Sequence, residues 1–187
     1  MRTTKGWPRT AIRMMAATVI LVGCDRDPVR VQSDDGTRLV RSGGAASAKM
    51  AASGTFTQTA ITSLDVSVAG PNTIIDQTAV GTITGTLTGH FEDDLTVVIH
   101  PNGKFSATFT ISCVCTVDGK LGVVEMVADD TGELLSPTLA AFAGRAVIKG
   151  GTGGLSGLRG VLQIEGTVDV TTGLATYGYT GDIHFEP

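Results

Sequence analysis

The fold prediction starts from one glycine-rich segment between two predicted strands, Gly151-Thr152-Gly153-Gly154-Leu155-Ser156-Gly157-Leu158-Arg159-Gly160. Five of its residues are glycines that allow tight turns or close backbone approach: Gly151, Gly153, Gly154, Gly157 and Gly160. Leu155 and Leu158 stand three residues apart, which is the spacing of one face of a helical turn. The segment therefore predicts a β-arch, in which a strand leads through one short helical turn, with two leucines on a core, into the next strand.

A phosphate-binding loop is the alternative for this segment. The phosphate-binding pattern needs a Lys-Ser/Thr pair after its last glycine, whereas Leu158 follows Gly157. The dinucleotide pattern needs a third glycine where this chain has Ser156. No long predicted helix follows to present its N-terminus to an anion. The glycines are therefore interpreted as structural, and no cofactor is expected.

Outward from this segment, the chain reads as β-strands with alternating polarity. The clearest strand covers residues 105–117, where the apolar positions recur every second residue: Phe105, Ala107, Phe109, Ile111, Cys113, Cys115 and Val117. Asn102-Gly103 before it and Asp118-Gly119 after it are tight-turn signals. These features predict half-buried antiparallel strands joined by hairpin turns.

Seven further strands are predicted, at residues 54–68, 82–91, 95–100, 121–127, 145–149, 161–170 and 176–185. Glu92-Asp93-Asp94 is interpreted as a turn, and residues 129–142, which contain Pro137, as the longest break between strands. Eight sequential strands joined mostly by tight turns favour an up-and-down barrel, which closes its own edges. A two-sheet β-sandwich is the alternative.

Length and charge limit the classes of protein that the chain could be. Its 187 residues include 25 glycines and carry a formal net charge of −4, which suits one domain with appended segments. From residue 52 onward, five basic residues stand against fourteen acidic ones, a net charge of −9. Because an acidic domain repels phosphate backbones, nucleic-acid binding is not expected.

The N-terminal sequence predicts that the protein is located in the cell envelope. A basic segment ending at Arg13 precedes a short apolar run at residues 14–22, as in a signal peptide. Leu21-Val22-Gly23-Cys24 resembles a bacterial lipobox, which implies cleavage after residue 23 and acylation of Cys24 as a membrane anchor. Asp25 resembles a signal for retention at the periplasmic face of the inner membrane. The predicted organisation is a signal peptide at 1–23, a flexible tether at 24–51 and a barrel domain at 52–187.

The domain resembles a family of bacterial proteins with allene oxide cyclase barrel-like domains. The resemblance covers residues 52–187 and rests on the glycine-rich segment, on Tyr177-Gly178-Tyr179-Thr180-Gly181, and on Gly54-Thr55-Phe56 and Gly85-Thr86-Leu87. It implies an eight-stranded barrel whose lumen accepts a lipophilic molecule. It carries over no catalytic residue, and a shared barrel is weak evidence of function.

Cys113-Val114-Cys115 has three interpretations. On an extended strand, residues i and i+2 face the same side about 6.5–7 Å apart, too far for an unstrained disulfide. The pair is interpreted first as two inert buried thiols, then as a strained or bulged disulfide, and last as a redox or metal site.

The remaining titratable residues offer few candidates for chemistry. His90 and His184 fall on the polar register of their strands, and no third ligand has a spacing typical of zinc sites, so no metal site is expected. Glu125 and Glu165 lie inside predicted strands and are the candidate acid or base if they face the lumen. The alternative places both glutamates on the outer face, because the inner and outer positions of a barrel strand alternate.

Three functional hypotheses follow. In the first, the lumen binds a small lipophilic ligand, lined by Phe105, Phe109, Ile111, Tyr177 and Tyr179. In the second, the same lumen serves an isomerase or cyclase-type enzyme with Glu125 or Glu165 as its base. In the third, the barrel is fully packed and its outer face meets another envelope protein.

Overall fold

The computed structural model describes residues 48–187. The predicted signal peptide, Cys24 and most of the predicted tether lie outside the described residues. No helix within this part of the chain is long and apolar enough to cross a membrane.

The described chain forms a closed barrel of eight antiparallel strands, each paired with its neighbours in sequence and the last paired with the first. The strands are β1 Met50–Ala69, β2 Asn72–Gly85, β3 Thr88–Ile99, β4 Lys104–Val117, β5 Lys120–Ser136, β6 Leu139–Gly151, β7 Leu158–Asp169 and β8 Leu174–Phe185. The predicted up-and-down barrel is confirmed, and the β-sandwich is not formed. Closure pairs β1 with β8 from Met50 to Thr57, so this part of β1 has no free edge.

Three predictions about where strands begin and end are wrong. Glu92-Asp93-Asp94, predicted as a turn, lies in the middle of β3. Residues 82–91, predicted as one strand, are divided by a turn between the end of β2 at Gly85 and the start of β3 at Thr88. Gly85 has a φ of +104°, a conformation that only glycine adopts readily, and this allows the reversal. Residues 129–142, predicted as the longest break, belong almost entirely to β5 and β6, which are separated only at residues 137–138.

The core follows the period of two that the sequence displays. In β4, every second residue from Ala107 to Val117 is buried, and the same alternation runs through β5 and β8. Phe56 on β1 is fully buried and stacks on Tyr177 with ring centroids 4.8 Å apart. It also meets the rings of Phe91 and Tyr179 edge-on at 5.2 and 5.4 Å. Phe56 therefore lies at the centre of the aromatic part of the core.

The glycine-rich segment is a structural connection. Gly153–Leu155 forms a single turn of 3-10 helix, and both Leu155 and Leu158 are fully buried. Gly153 and Gly157 adopt φ values of +61° and +77°, which favour glycine. The predicted helical turn and the burial of both leucines are confirmed, but only Leu155 lies on the turn, because Leu158 is the first residue of β7. The predicted β-arch is wrong, because β6 and β7 pair directly with each other and the segment joins them as a hairpin connection.

Cys113 and Cys115 form a disulfide, with their Cα atoms 5.4 Å apart. This distance is shorter than the spacing of an extended strand, and no register shift accompanies it in the pairing of β4 with β3 or β5. The first interpretation of the pair, two inert free thiols, therefore does not describe this structure. Both residues are fully buried on the inner wall.

The barrel opens at one end because β1 leaves β8. The β1–β8 pairing stops at Thr57 and Thr176, whereas β1 continues to Ala69 beside β2. Two register shifts in β1, between Gln58 and Ala60 and between Ile61 and Ser63, mark this departure. Such bulges bend a strand and re-aim its side chains. The end of the barrel that carries the β1–β2 hairpin therefore splays, while Leu155 and Leu158 fill the opposite end.

Candidate functional site

A cavity of about 50 Å³ lies inside the splayed end of the barrel. This volume has room for roughly three to five water molecules, at about 10–15 Å³ each. Its aliphatic wall consists of Leu95, Val97, Ala107, Val168 and Ala175. Leu95, Val97 and Val168 are only partly buried, so these side chains form the mouth of the cavity.

The other wall of the cavity is aromatic. Phe105, Phe109 and Phe142 line it together with Tyr177. The Tyr177 ring lies 5.6 Å from the Phe142 ring and 6.5 Å from the Phe109 ring, both in edge-on geometry. Rings in such contacts support one another, so the wall is held in place by the core behind it.

Two carboxyl groups enter this apolar cavity. Asp93 lies on β3 between the inward-facing Phe91 and Leu95, and Asp130 lies on β5 two residues beyond the buried Ala128. The side chains are only 2% and 8% exposed. A buried carboxyl is costly unless it is paired or protonated, so two in one cavity indicate a site.

Gln58 holds Asp93 in position. Its side-chain Nε2 donates a hydrogen bond to Oδ2 of Asp93 at 2.8 Å, and its Oε1 accepts one from the backbone N–H of Ala175, also at 2.8 Å. Ala175 lies just beyond the last residue of β8 that pairs with β1. The Gln58 side chain therefore replaces the strand pairing that the β1 bulge removes, and it connects that bulge to the carboxyl group.

Three polar atoms of the cavity residues remain without a hydrogen-bond partner among the described residues. They are Oδ1 of Asp93, Oδ1 of Asp130 and the hydroxyl oxygen of Tyr177. All three residues line the same cavity. Buried polar atoms are normally hydrogen-bonded, so these atoms have unused hydrogen-bonding capacity, although almost none of their surface is exposed in the empty cavity.

Burial shifts the titration of these groups. It raises the pKa of Asp93 to about 6, against the opposing effect of the hydrogen bond from Gln58. It raises the pKa of Asp130 to about 7, with a further contribution from the charge of Asp129. Burial also raises the pKa of Tyr177 well above its usual value, and the charges of Asp93 and Asp130 act in the same direction. The phenol is therefore neutral, and the two carboxyl groups exchange protons near neutral pH.

The predicted lining residues divide into two groups. Phe105, Phe109 and Tyr177 line the cavity as predicted. Ile111 and Tyr179 face inward but lie in the packed core, where Tyr179 accepts a hydrogen bond from the backbone N–H of Leu87 at 2.9 Å. The cavity thus occupies part of the lumen only.

The two predicted catalytic glutamates do not face the lumen. Glu125 and Glu165 are both exposed, and Glu125 accepts a hydrogen bond from the Ser112 hydroxyl at 3.0 Å on the outer face of the barrel. Val124 and Met126, which flank Glu125, take the inward positions. Neither glutamate is part of the cavity, and neither is a candidate base.

The histidines lie away from the cavity. His90 is exposed, and His184 is partly buried near the end of β8. Among residues 48–187, no three His, Cys, Asp or Glu side chains come together in a group that could hold a metal ion.

The sequence interpretation missed Asp93 and Asp130, the two acids that do face the cavity. Both occur in acidic clusters, which were interpreted as a turn and a break. The available signal was register: Asp93 keeps the period of Phe91 and Leu95, and Asp130 keeps that of Met126 and Ala128. A carboxyl on the apolar register of a strand is an indication of a site that local polarity hides.

Comparison with known proteins gives little information about what the cavity does. No family model matches the chain, and no curated protein matches it. Among solved structures, it is similar to one described as the structure of the pterocarpan synthase dirigent protein GePTS1. The two chains are 15% identical, the match covers 81% of this chain and 98% of that chain, and the TM-score is 0.46. The resemblance to allene oxide cyclase barrel-like proteins stays a prediction, and the proposals below rest on the cavity.

Proposed function

We propose that this protein is an envelope lipoprotein whose barrel binds a small lipophilic molecule in the cavity at its splayed end. The observation that carries the binding proposal is a mostly apolar cavity that is also lined by three residues with unpartnered polar atoms. Binding sites for small molecules typically combine an apolar lining with a few placed polar atoms. The aliphatic mouth and the aromatic wall accept the apolar part of the ligand, and the polar groups orient it.

Filling the cavity is expected to abolish binding. Ala107 is almost fully buried and lines the cavity, so Ala107→Phe places a ring where the ligand would lie. The matched control is Thr108→Phe, which adds a ring at the exposed neighbouring position. We expect full-length protein and the control variant to release a small lipophile on denaturing extraction, and Ala107→Phe to release at least tenfold less.

Mass spectrometry of the extract measures this directly. Because overpacking can cost about 1–3 kcal/mol, circular dichroism must first show that Ala107→Phe keeps its β-sheet signal. A wild-type protein that releases no small molecule, or a folded Ala107→Phe protein that releases as much as wild type, contradicts the proposal.

The membrane anchor is a proposal from the sequence alone. Cleavage before Cys24 and acylation of its thiol would tie the barrel to a membrane through the tether. A coil of that length has an average reach of roughly 25–30 Å. Asp25 favours the periplasmic face of the inner membrane as its location. We expect mass spectrometry of the membrane-bound protein to show a chain that begins at Cys24 and carries the added mass of acyl chains; a chain with an unmodified Cys24 would contradict acylation at this residue.

Acid–base catalysis is the second candidate function, with Asp93 and Asp130 in place of the predicted glutamates. Two carboxyl groups with pKa values of about 6 and 7 suit proton transfer at neutral pH. In an isomerase-type reaction, one would take a proton from the bound molecule while the other returns one at a different atom. Incubating the extracted lipophile with wild type and with Asp130→Asn tests this: catalysis requires an isomer of unchanged mass to form only with wild type.

A further inference from the structure

The cavity offers hydrogen-bond acceptors rather than donors. Oδ1 of Asp93 and Oδ1 of Asp130 are acceptors when ionised, and the Tyr177 hydroxyl oxygen accepts as well as donates. None of these atoms has a partner among the described residues. The fourth polar group of the cavity, Gln58, already uses its carbonyl oxygen on Ala175 and one amide hydrogen on Asp93. A ligand that enters therefore meets acceptors first.

The cavity also lacks a positive charge. No lysine, arginine or histidine lines it. Within residues 48–187, Arg159 forms an ion pair with Glu186, and neither cavity acid takes part in that pair. Two carboxyl groups in an apolar space without a counter-ion are each penalised by desolvation. A bound cation would supply the missing counter-charge, whereas an anion would add a third negative group.

The aromatic wall favours the same ligand. Phe105, Phe109, Phe142 and Tyr177 line the same cavity as the carboxyl groups, and the faces of aromatic rings attract ammonium groups. The excess of acidic residues from residue 52 onward acts in the same direction over a longer range.

Resting on the proposed binding function, we propose that the cavity takes the ammonium group of a small primary amine. A primary ammonium group has three N–H donors, and Asp130 and the Tyr177 hydroxyl supply unpartnered acceptors for them. Asp93 is paired with β4 four residues away from Asp130, so it contributes its negative charge rather than a direct contact. The alkyl part of the amine lies along the half-buried Leu95, Val97 and Val168 at the mouth. The ligand class is thus a lipophilic amine rather than a neutral lipophile or a fatty acid.

Three molecules with the same tail and different head groups test this inference. Hexylamine, 1-hexanol and hexanoate are titrated at pH 8 by calorimetry into full-length protein held in one fixed concentration of a non-ionic detergent, with titrations into detergent alone as the blank. We expect hexylamine to bind at least tenfold more tightly than 1-hexanol, and hexanoate to bind most weakly. Asp93→Asn and Asp130→Asn are each expected to weaken hexylamine binding at least tenfold and to weaken 1-hexanol binding much less.

Asp129→Asn is the matched control, because it removes one negative charge from an exposed neighbour on the same strand. It is expected to change hexylamine binding less than twofold. Equal or tighter binding of 1-hexanol would overturn the amine inference and leave the proposed binding function standing. An equal effect of Asp129→Asn would also overturn it, since the attraction would then be a general surface effect. Failure of all three molecules to bind would overturn the inference and the proposed function together.

Discussion

Replacing Phe56 with alanine is expected to lower the free energy of unfolding by about 3–5 kcal/mol, the range for deleting a large buried aromatic side chain. Phe56 is fully buried, and its ring contacts those of Phe91, Tyr177 and Tyr179 at centroid distances of 4.8–5.4 Å. The deletion removes these contacts and leaves a cavity that closed β-strands cannot collapse into easily. Because a domain is typically stable by about 5–15 kcal/mol, this loss is a large share of the total.

Urea unfolding of the full-length protein measures the effect. Thr57→Ala is the matched control, since its side chain takes the outward register next to Phe56; we expect a change below about 1 kcal/mol there. Phe56 also supports Tyr177 from behind, so any Phe56→Ala protein that stays folded should bind the cavity ligand more weakly. A Phe56→Ala protein with the urea midpoint of wild type would show that the aromatic cluster does not hold the barrel together.

Stability is expected to fall as the pH rises from about 4 to about 8, because of the two cavity acids. Both folded-state pKa values are raised above the ordinary aspartate value of 3.8, to about 6 for Asp93 and about 7 for Asp130. Between the unfolded and folded pKa values, the folded protein binds more protons than the unfolded chain. The slope of stability against pH is therefore negative in this window, and the penalty is complete only above the folded pKa values.

Each pKa unit corresponds to about 1.4 kcal/mol, and solvent at the mouth of the cavity reduces the combined effect. We therefore expect a loss of roughly 2–4 kcal/mol across this window. Urea unfolding at pH 4.5, 6 and 8 measures the slope. The double variant Asp93→Asn/Asp130→Asn should lose most of it and should be more stable than wild type at pH 8, whereas Asp129→Asn should keep it. A double variant with the wild-type slope would place the titrating groups elsewhere.

The two acids illustrate a trade between stability and function. If the pH slope is present, the protein retains two carboxyl groups that destabilise its empty folded state at neutral pH. Residues that lower stability in this way are common at functional sites. Gain of stability and loss of hexylamine binding in the same variants would connect the two properties directly.

Much of the fold could be predicted because barrel strands and their turns have characteristic patterns in short stretches of sequence. The alternation from Phe105 to Val117, the turn signals at Asn102-Gly103 and Asp118-Gly119, and the glycine-rich connection all act over a few residues. Leu155 and Leu158 are both buried as predicted, although the helical spacing behind the prediction applies only to Leu155, since Leu158 lies on β7. These features depend on backbone geometry and on which face of a strand is apolar, so local sequence is enough to predict them.

The candidate site was less accessible to prediction. Phe105, Phe109 and Tyr177 were assigned to the lumen correctly, because their register is plain. Asp93 and Asp130 were assigned to a turn and a break, because clustered acids usually lie in solvent-exposed loops. Glu125 and Glu165 were considered as lumen residues, yet each occupies the outward position of its strand. Whether each of these four acids faces the lumen or the solvent depends on how the strands pair, because the pairing register determines on which side of the barrel wall every residue lies.

The sequence by itself determined the class of the fold, the number of its strands, most of its turns and the faces of its most regular strands. These are properties of short segments, in which side-chain period and turn chemistry decide the outcome. Only the tertiary structure decided that β1 bulges away from β8 at Gln58, and that this departure leaves a cavity where Asp93, Asp130 and Tyr177 meet. These residues are far apart in the chain, so their meeting depends on how the barrel closes, and no local pattern encodes it.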